Sequence, residues 1–268
     1  MTYDDAREAA AFFDLDRTLI AGASTFVFGL VAWRRKLIPT SDILGDATTA
    51  INFRLTGGSD DQSDMVRDRI LEAVQGRRRE DVTSLNDDIL PRLLKSVRPE
   101  TRAVVERHHE AGRDTYIVSA SPIEIVGPLA GALGMTGAIA TEAEVVDGAY
   151  TGRLLSEFCY GEGKAERVRK LAQEKGYDLR LCYAYSDSES DLPLLEMVGH
   201  PVAVNPDAAL RRMARISNWP VVHFARKVKI TATALASGAA VAGMGAGLYA
   251  LGRVHGARSS LGRSLLPG

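Results

Sequence analysis

Asp14 and Asp16 stand one residue apart at the end of an apolar run, Ala9-Ala10-Ala11-Phe12-Phe13, in the string Asp14-Leu15-Asp16-Arg17-Thr18-Leu19. A strand alternates its side chains, so the two carboxylates would leave the same face together. Like charges that close either repel or share a counter-ion. Hard carboxylate oxygens of this kind suit Mg²⁺ better than zinc. Taken alone, the pair reads equally well as a solvated turn whose Asp caps the next helix. Three features further along bear on the choice. Ser119 follows Tyr116-Ile117-Val118 and precedes Ala120-Ser121-Pro122, where a hydroxyl and main-chain N–H groups at a helix start can hold a phosphate oxygen. Lys164, in Gly161-Glu162-Gly163-Lys164, puts a positive charge where the helix dipole opposes it, which points to an anionic partner. Tyr185-Ser186-Asp187-Ser188-Glu189-Ser190-Asp191 is a second acid-rich loop after an apolar run. Each has an ordinary reading by itself: a capping serine, an exposed lysine, a solvated turn.

The elements that must position these residues alternate. Apolar runs at residues 10–15, 115–119, 181–185 and 201–204 read as strands, and residues 99–112, 122–133 and 164–176 as helices. That alternation predicts an α/β fold built on a doubly wound parallel sheet. Residues 23–97 break it, holding no convincing strand and reading as several helices, among them 63–74 and 81–94, with a turn at 57–60. A helical block directly after the first strand is expected to be an inserted cap over a core made of residues 1–22 and 98–222. Asp147-Gly148, between short β-prone runs, predicts a hairpin.

The chain has 268 residues, 46% hydrophobic and 25% charged, an ordinary globular composition. A formal net charge of -1 argues against a nucleic-acid partner. Arg77-Arg78-Arg79 reads as a solvated helix end or loop, with contact to an anionic partner as the other reading. Cys159 and Cys182 have neither metal-ligand spacing nor a disulfide framework, and no signal-type segment precedes the first strand. A cytoplasmic protein is expected, at the inner face of a membrane if the tail binds one. That tail, 226–252, is uncharged from Ile230 to Gly252 and carries Gly243 and Gly247 in G-x-x-x-G spacing. As a helix the uncharged stretch would reach roughly 34 Å, enough for a hydrocarbon core of about 30 Å. It reads as a membrane-inserted or membrane-docked helix, or as an Ala-rich helix packed on another subunit, ahead of a basic tail at 253–268.

In order and spacing, Asp14-x-Asp16-x-Thr18, Ser119, Lys164 and Asp187/Asp191 resemble the haloacid dehalogenase superfamily, in its phosphoserine-phosphatase-like subgroup. The resemblance covers about residues 9–222. It implies a helical cap on a Rossmann-like core and a phosphatase that uses Mg²⁺. By it, Asp14 is the nucleophile and forms an aspartyl-phosphate, while Asp16 is the general acid and base. Mg²⁺ is held by the Asp14 carboxylate, the Asp16 carbonyl and the Asp187 carboxylate, with Asp191 and Thr18 behind them. Ser119, the Ala120 N–H and Lys164 hold the phosphoryl oxygens. The dehalogenase branch lacks the second Asp, because a halide needs no proton on leaving.

Departures bear on the substrate. The subgroup's amine-holding Glu, nine residues after the nucleophile, is Ala23 here, and a buried methyl cannot pair an ammonium. The subgroup's carboxylate-holding cap arginine corresponds to Arg69. Ser186 and Ser190 replace the usual Gly and Asn, with both Asp positions kept. The resulting expectation is a small phosphate ester other than phosphoserine. The alternatives are a lipid phosphate, phosphatidylglycerol-phosphate-like or lysophosphatidate-like, and a non-catalytic phosphate-binding regulator.

Overall fold

Strand β1, Ala10–Asp14, is buried at all five positions. Period-2 alternation divides it between two cores. Ala11 and Phe13 join one cluster, Ala10 and Phe12 the other. Both faces of the sheet are therefore covered, as a parallel sheet requires. In a computed structural model, residues 8–35, 67–68, 71–72 and 74–224 are described. The expected turn at 57–60, most of the helix at 63–74, Arg69, the tail helix at 226–252 and the basic tail at 253–268 lie outside the described residues. Among those described, no helix is long and apolar enough to cross a membrane.

The chain leaves β1 through a five-residue π-turn, Leu15–Leu19, and enters α1, Ser24–Arg34. It returns through α2 (Arg79–Thr83), α3 (Asn86–Ser96) and α4 (Pro99–Glu110). Leaving and returning strands meet: Ile20 and Val97 form an antiparallel bridge, and the Arg98 N–H donates to the Leu19 carbonyl at 3.0 Å. Next come β2 (Asp114–Pro122), α5 (Ile123–Ala132) and β3 (Gly137–Thr141). The hairpin β4 (Ala143–Val146) and β5 (Ala149–Leu154) follows. Then come α6 (Glu162–Lys175), β6 (Tyr183–Ser186), α7 (Leu192–Met197), β7 (His200–Val204), α8 (Ala208–Ile216) and β8 (Val221–Val222).

The sheet runs β3-β2-β1-β6-β7-β8, and every neighbouring pair is parallel. Chain order reverses on either side of β1, so a crevice opens at the carboxyl ends of β1, β2 and β6. The doubly wound sheet is as expected, with two strands, β3 and β8, that sequence patterning did not indicate. The expected helix over 81–94 is divided by a turn at Ser84-Leu85 into α2 and α3. The Asp147-Gly148 hairpin forms, both residues taking positive φ (51° and 79°), the backbone that a two-residue turn of this hand needs. Arg78 and Arg79 are exposed at the start of α2, the solvated helix end expected. The Tyr150 N–H donates to the Arg77 carbonyl at 2.9 Å and the Arg79 N–H to the Gly148 carbonyl at 2.9 Å, tying this segment to the hairpin.

Candidate active site

β1 ends at Asp14, and the π-turn that follows places Asp16. Strand alternation therefore does not bring the two carboxylates together, as the sequence led us to expect; the turn does. Arg17 takes a left-handed backbone (φ 63°) within it. The N-terminus of α1 is aimed at Asp16: the Ser24 N–H donates to Oδ1 at 2.6 Å and the Ser24 hydroxyl to Oδ2 at 3.0 Å. Ser24 Oγ also lies 2.7 Å from Ser121 Oγ, which links the first loop to the end of β2.

At that end β2 slips against β3. Ser119 pairs with Ala140 but Pro122 with Thr141, so Ala120 and Ser121 bulge out of the ladder. Ser119 is buried, and its hydroxyl accepts from the Ser121 N–H at 3.1 Å. From the far side of the site, the first turn of α6 delivers Lys164, which is 4% exposed. Its Nζ sits 2.6 Å from Asp14 Oδ1 and 3.0 Å from Asp191. Asp191 in turn accepts from the Ser186 hydroxyl at 2.6 Å, so the serine that replaces glycine here fixes an aspartate. Asp187, at the tip of β6, pairs with Arg17 Nε at 2.7 Å.

Four buried or half-buried carboxyl groups, Asp14, Asp16, Asp187 and Asp191, thus face two cations, Lys164 and Arg17, a formal excess of two negative charges when every carboxyl is ionised. Burial, reinforced by Asp191 and Asp16 and opposed by Lys164, pushes Asp14 up to about 7. Burial and the Asp14 charge push Asp187 up to about 8. Asp16 is also raised by burial, against its bonds to Ser24. Burial alone would discharge Lys164, but Asp14 and Asp191 outweigh it and keep the ammonium charged. Among the described residues, no three His, Cys, Asp or Glu side chains gather as a metal-binding group. The expected donor set asks for less: the two carboxylates Asp14 and Asp187, with a main-chain carbonyl as third ligand. Hard oxygen donors with two surplus negative charges fit a divalent cation such as Mg²⁺.

Asp14, Asp16, Lys164, Asp187 and Asp191 interact as one electrostatic cluster, with Ser119 and Ala120 on the adjoining bulge. Thr18 lies behind it, fully buried, and its carbonyl accepts from the Thr101 hydroxyl at 3.2 Å. Arg69 is outside the described residues; Arg67, two positions before it, lines a cavity beside Ala120. Ala23 is the N-cap of α1 and is exposed rather than buried as expected, so its methyl faces solvent. Ser24, Ser121, Arg17 and Ser186 are site residues that sequence reasoning missed as such. For Ser24 the available signal was its place as first residue of a helix shortly after the acid pair.

Comparison with known proteins gives the family. The family model for haloacid dehalogenase-like hydrolases matches residues 11–196. A probable phosphatase of Mycobacterium tuberculosis is 42% identical over 250 residues, covering 91% of this chain and 87% of the relative. A phosphoserine phosphatase of the same organism is 37% identical, covering 91% and 80%. Among solved structures, a protein of unknown function from Bordetella pertussis superposes with a TM-score of 0.70 at 28% identity, covering 80% of this chain and 97% of the other. An arrangement of acid pair, bulged serine loop, buried lysine and second acidic loop, on a parallel sheet of this order, places the chain in the haloacid dehalogenase-like hydrolase family, as a phosphatase of its phosphoserine-phosphatase-like branch.

Proposed function

We propose that this phosphatase is Mg²⁺-dependent, faces the cytoplasm, and hydrolyses a phosphomonoester through an aspartyl-phosphate on Asp14. The observation that carries the reading is Lys164, buried between Asp14 and Asp191 in a site with surplus negative charge. Lys164 occupies one oxygen of Asp14 and leaves the other for attack on phosphorus. As the new O–P bond forms, the ester P–O bond breaks, and Asp16, whose burial favours the protonated acid, gives its proton to the departing alkoxide. Water then attacks the aspartyl-phosphate, Asp16 takes back a proton, and the Asp14 oxygen leaves the phosphorus. Ser119, the Ala120 N–H and Lys164 are assigned to the phosphoryl oxygens, where fixed donors stabilise charge developing in the transition state. Asp14, the Asp16 carbonyl and Asp187 would hold Mg²⁺, oriented by Asp191 and Thr18. When bound, Mg²⁺ supplies positive charge that offsets repulsion between the nucleophile and the phosphate.

The substrate we infer is a small ester other than phosphoserine. Ala23 offers no charge to an ammonium, and losing a charged hydrogen bond costs about 1.5–3 kcal/mol. The test is phosphate release from an aryl phosphate and a panel of esters that includes phosphoserine, with Mg²⁺ and with EDTA. Turnover should need Mg²⁺ and vanish in Asp14→Asn while the fold persists. Equal rates for wild type and Asp14→Asn would sink the assignment. A second reading, a lipid phosphate met at a membrane through residues 226–252, draws support from α1. Phe26, Leu30 and Trp33 lie at helical spacing and are 73%, 38% and 40% exposed, an apolar stripe on the helix that begins at the site. Removing 226–268 and assaying lysophosphatidate in micelles separates the two readings, since only lipid turnover should depend on the tail.

A further inference from the structure

The bulge that holds Ser119 is also the floor of a cavity. Ala120 lines it, and its walls are Phe28 of α1, Leu71, Val82, Leu154 at the end of β5, and Phe158. Phe28 is one helical turn beyond Ser24, so it shares a helix face with the residue that grips Asp16. Ala120, on the bulge beside Ser119, and Phe28, one turn from the residue that grips Asp16, thus set the cavity beside the site on the side of its acid. Its charged members are already matched within the protein. Glu124 pairs with Arg79 at 3.5 Å and Arg67 with Asp68 at 2.8 Å. A zwitterion entering here would lose water and meet methyl groups and rings. An apolar group would gain from the same surroundings.

Resting on the phosphatase reading, we propose that this cavity is the leaving-group subsite and that it selects phosphomonoesters whose alcohol is an apolar chain or ring. Each methylene it buries is worth about fourfold in kcat/KM. The n-alkyl phosphates from ethyl to hexyl test this directly. Their alcohols are equally acidic, so chain length varies burial and little else. We expect hexyl phosphate to exceed ethyl phosphate at least tenfold in kcat/KM. In Leu154→Glu and Phe28→Ser that dependence on chain length should flatten to within about threefold. Leu155→Glu, at a residue that is 62% exposed and outside the cavity lining, should keep it. The same series bound to Asp14→Asn by calorimetry gives a reading without turnover, with Kd falling as the chain grows.

Turnover with no dependence on chain length overturns the subsite and leaves the phosphatase reading standing. No turnover of any ester, with chain-length-dependent binding kept, does the reverse. An unchanged dependence in both cavity variants also overturns the subsite. Lysophosphatidate in micelles against hexyl phosphate in solution then tells a lipid source of the apolar group from a soluble one.

Discussion

His108, on α4, is buried and held between two different partners. Its Nδ1 lies 3.2 Å from Arg113 Nη1 and its Nε2 2.9 Å from the Tyr185 hydroxyl. A guanidinium only donates, so Nδ1 must accept and Nε2 must carry the proton. Protonating His108 would therefore break its bond to Arg113 and place two cations face to face. Burial first, then the charges of Arg113, Arg107 and His109, lower its pKa from 6.5 to about 4. The sign follows from linkage. The unfolded chain binds this proton more readily, so the stabilisation is complete above pH 6.5 and is lost as pH falls toward 4. The full shift is worth about 3 kcal/mol at about 1.4 kcal/mol per pKa unit. We expect the stability gap between wild type and His108→Phe to shrink by about 2.5 kcal/mol between pH 7.5 and pH 4.5. Urea unfolding at several pH values measures it, and the titration of Asp14 and Asp187 cancels in the difference. His108 meets Phe13 edge-on at 5.9 Å, and Phe13 stacks on Tyr185 at 4.6 Å, so the histidine packs against the residues just before Asp14 and Asp187. A gap that stays flat across that range would refute the assigned tautomer and the buried neutral histidine together.

Three further outcomes are expected. Lys164→Met should lower kcat by about 10²–10³ and, by stranding buried carboxylates, cost about 3–5 kcal/mol in urea without metal; unchanged stability would remove Lys164 from the charge balance. Ser24→Ala should lower kcat about fivefold, the worth of one hydrogen bond near 1 kcal/mol, and move the alkaline limb of the kcat profile upward, because the Ser24 bonds lower the Asp16 pKa. A limb that does not move would leave Ser24 a structural cap only. Gly163→Ala should cost both activity and melting temperature, since a Cβ there would fall 2.1 Å from the Phe158 carbonyl oxygen at the residue before Lys164. Normal behaviour of that variant would mean the backbone yields without displacing the lysine.

Much of this arrangement was legible in the chain. Strong apolar runs gave β1, β2, β6 and β7, because buried parallel strands need continuous apolar residues. Asp147-Gly148 announced its hairpin through the backbone angles those residues tolerate. β3 was not legible: Gly137-Ala138-Ile139-Ala140-Thr141 is short and small, and it pairs along one edge only. The acid pair, the lysine and the second acidic loop carry their chemistry in residue type and spacing. Ser24 and Ser121 do not, since their role arises from a contact between positions 97 residues apart. Nor could the sequence say that Ala23 faces water, because the turn after β1, rather than the strand, sets where that loop emerges.

The pairing of Ile20 with Val97 means that everything between them departs from and returns to one point of the core. Closing a chain segment between fixed, adjacent ends costs little more as it lengthens, about 0.6 kcal/mol for each doubling. The register of β1 therefore depends little on the length of the insert, while Ser24 at the insert's start still grips Asp16. Lengthening or shortening the chain between α1 and α2 should therefore leave Asp14 where it stands, so that size can vary there behind a single two-residue seam.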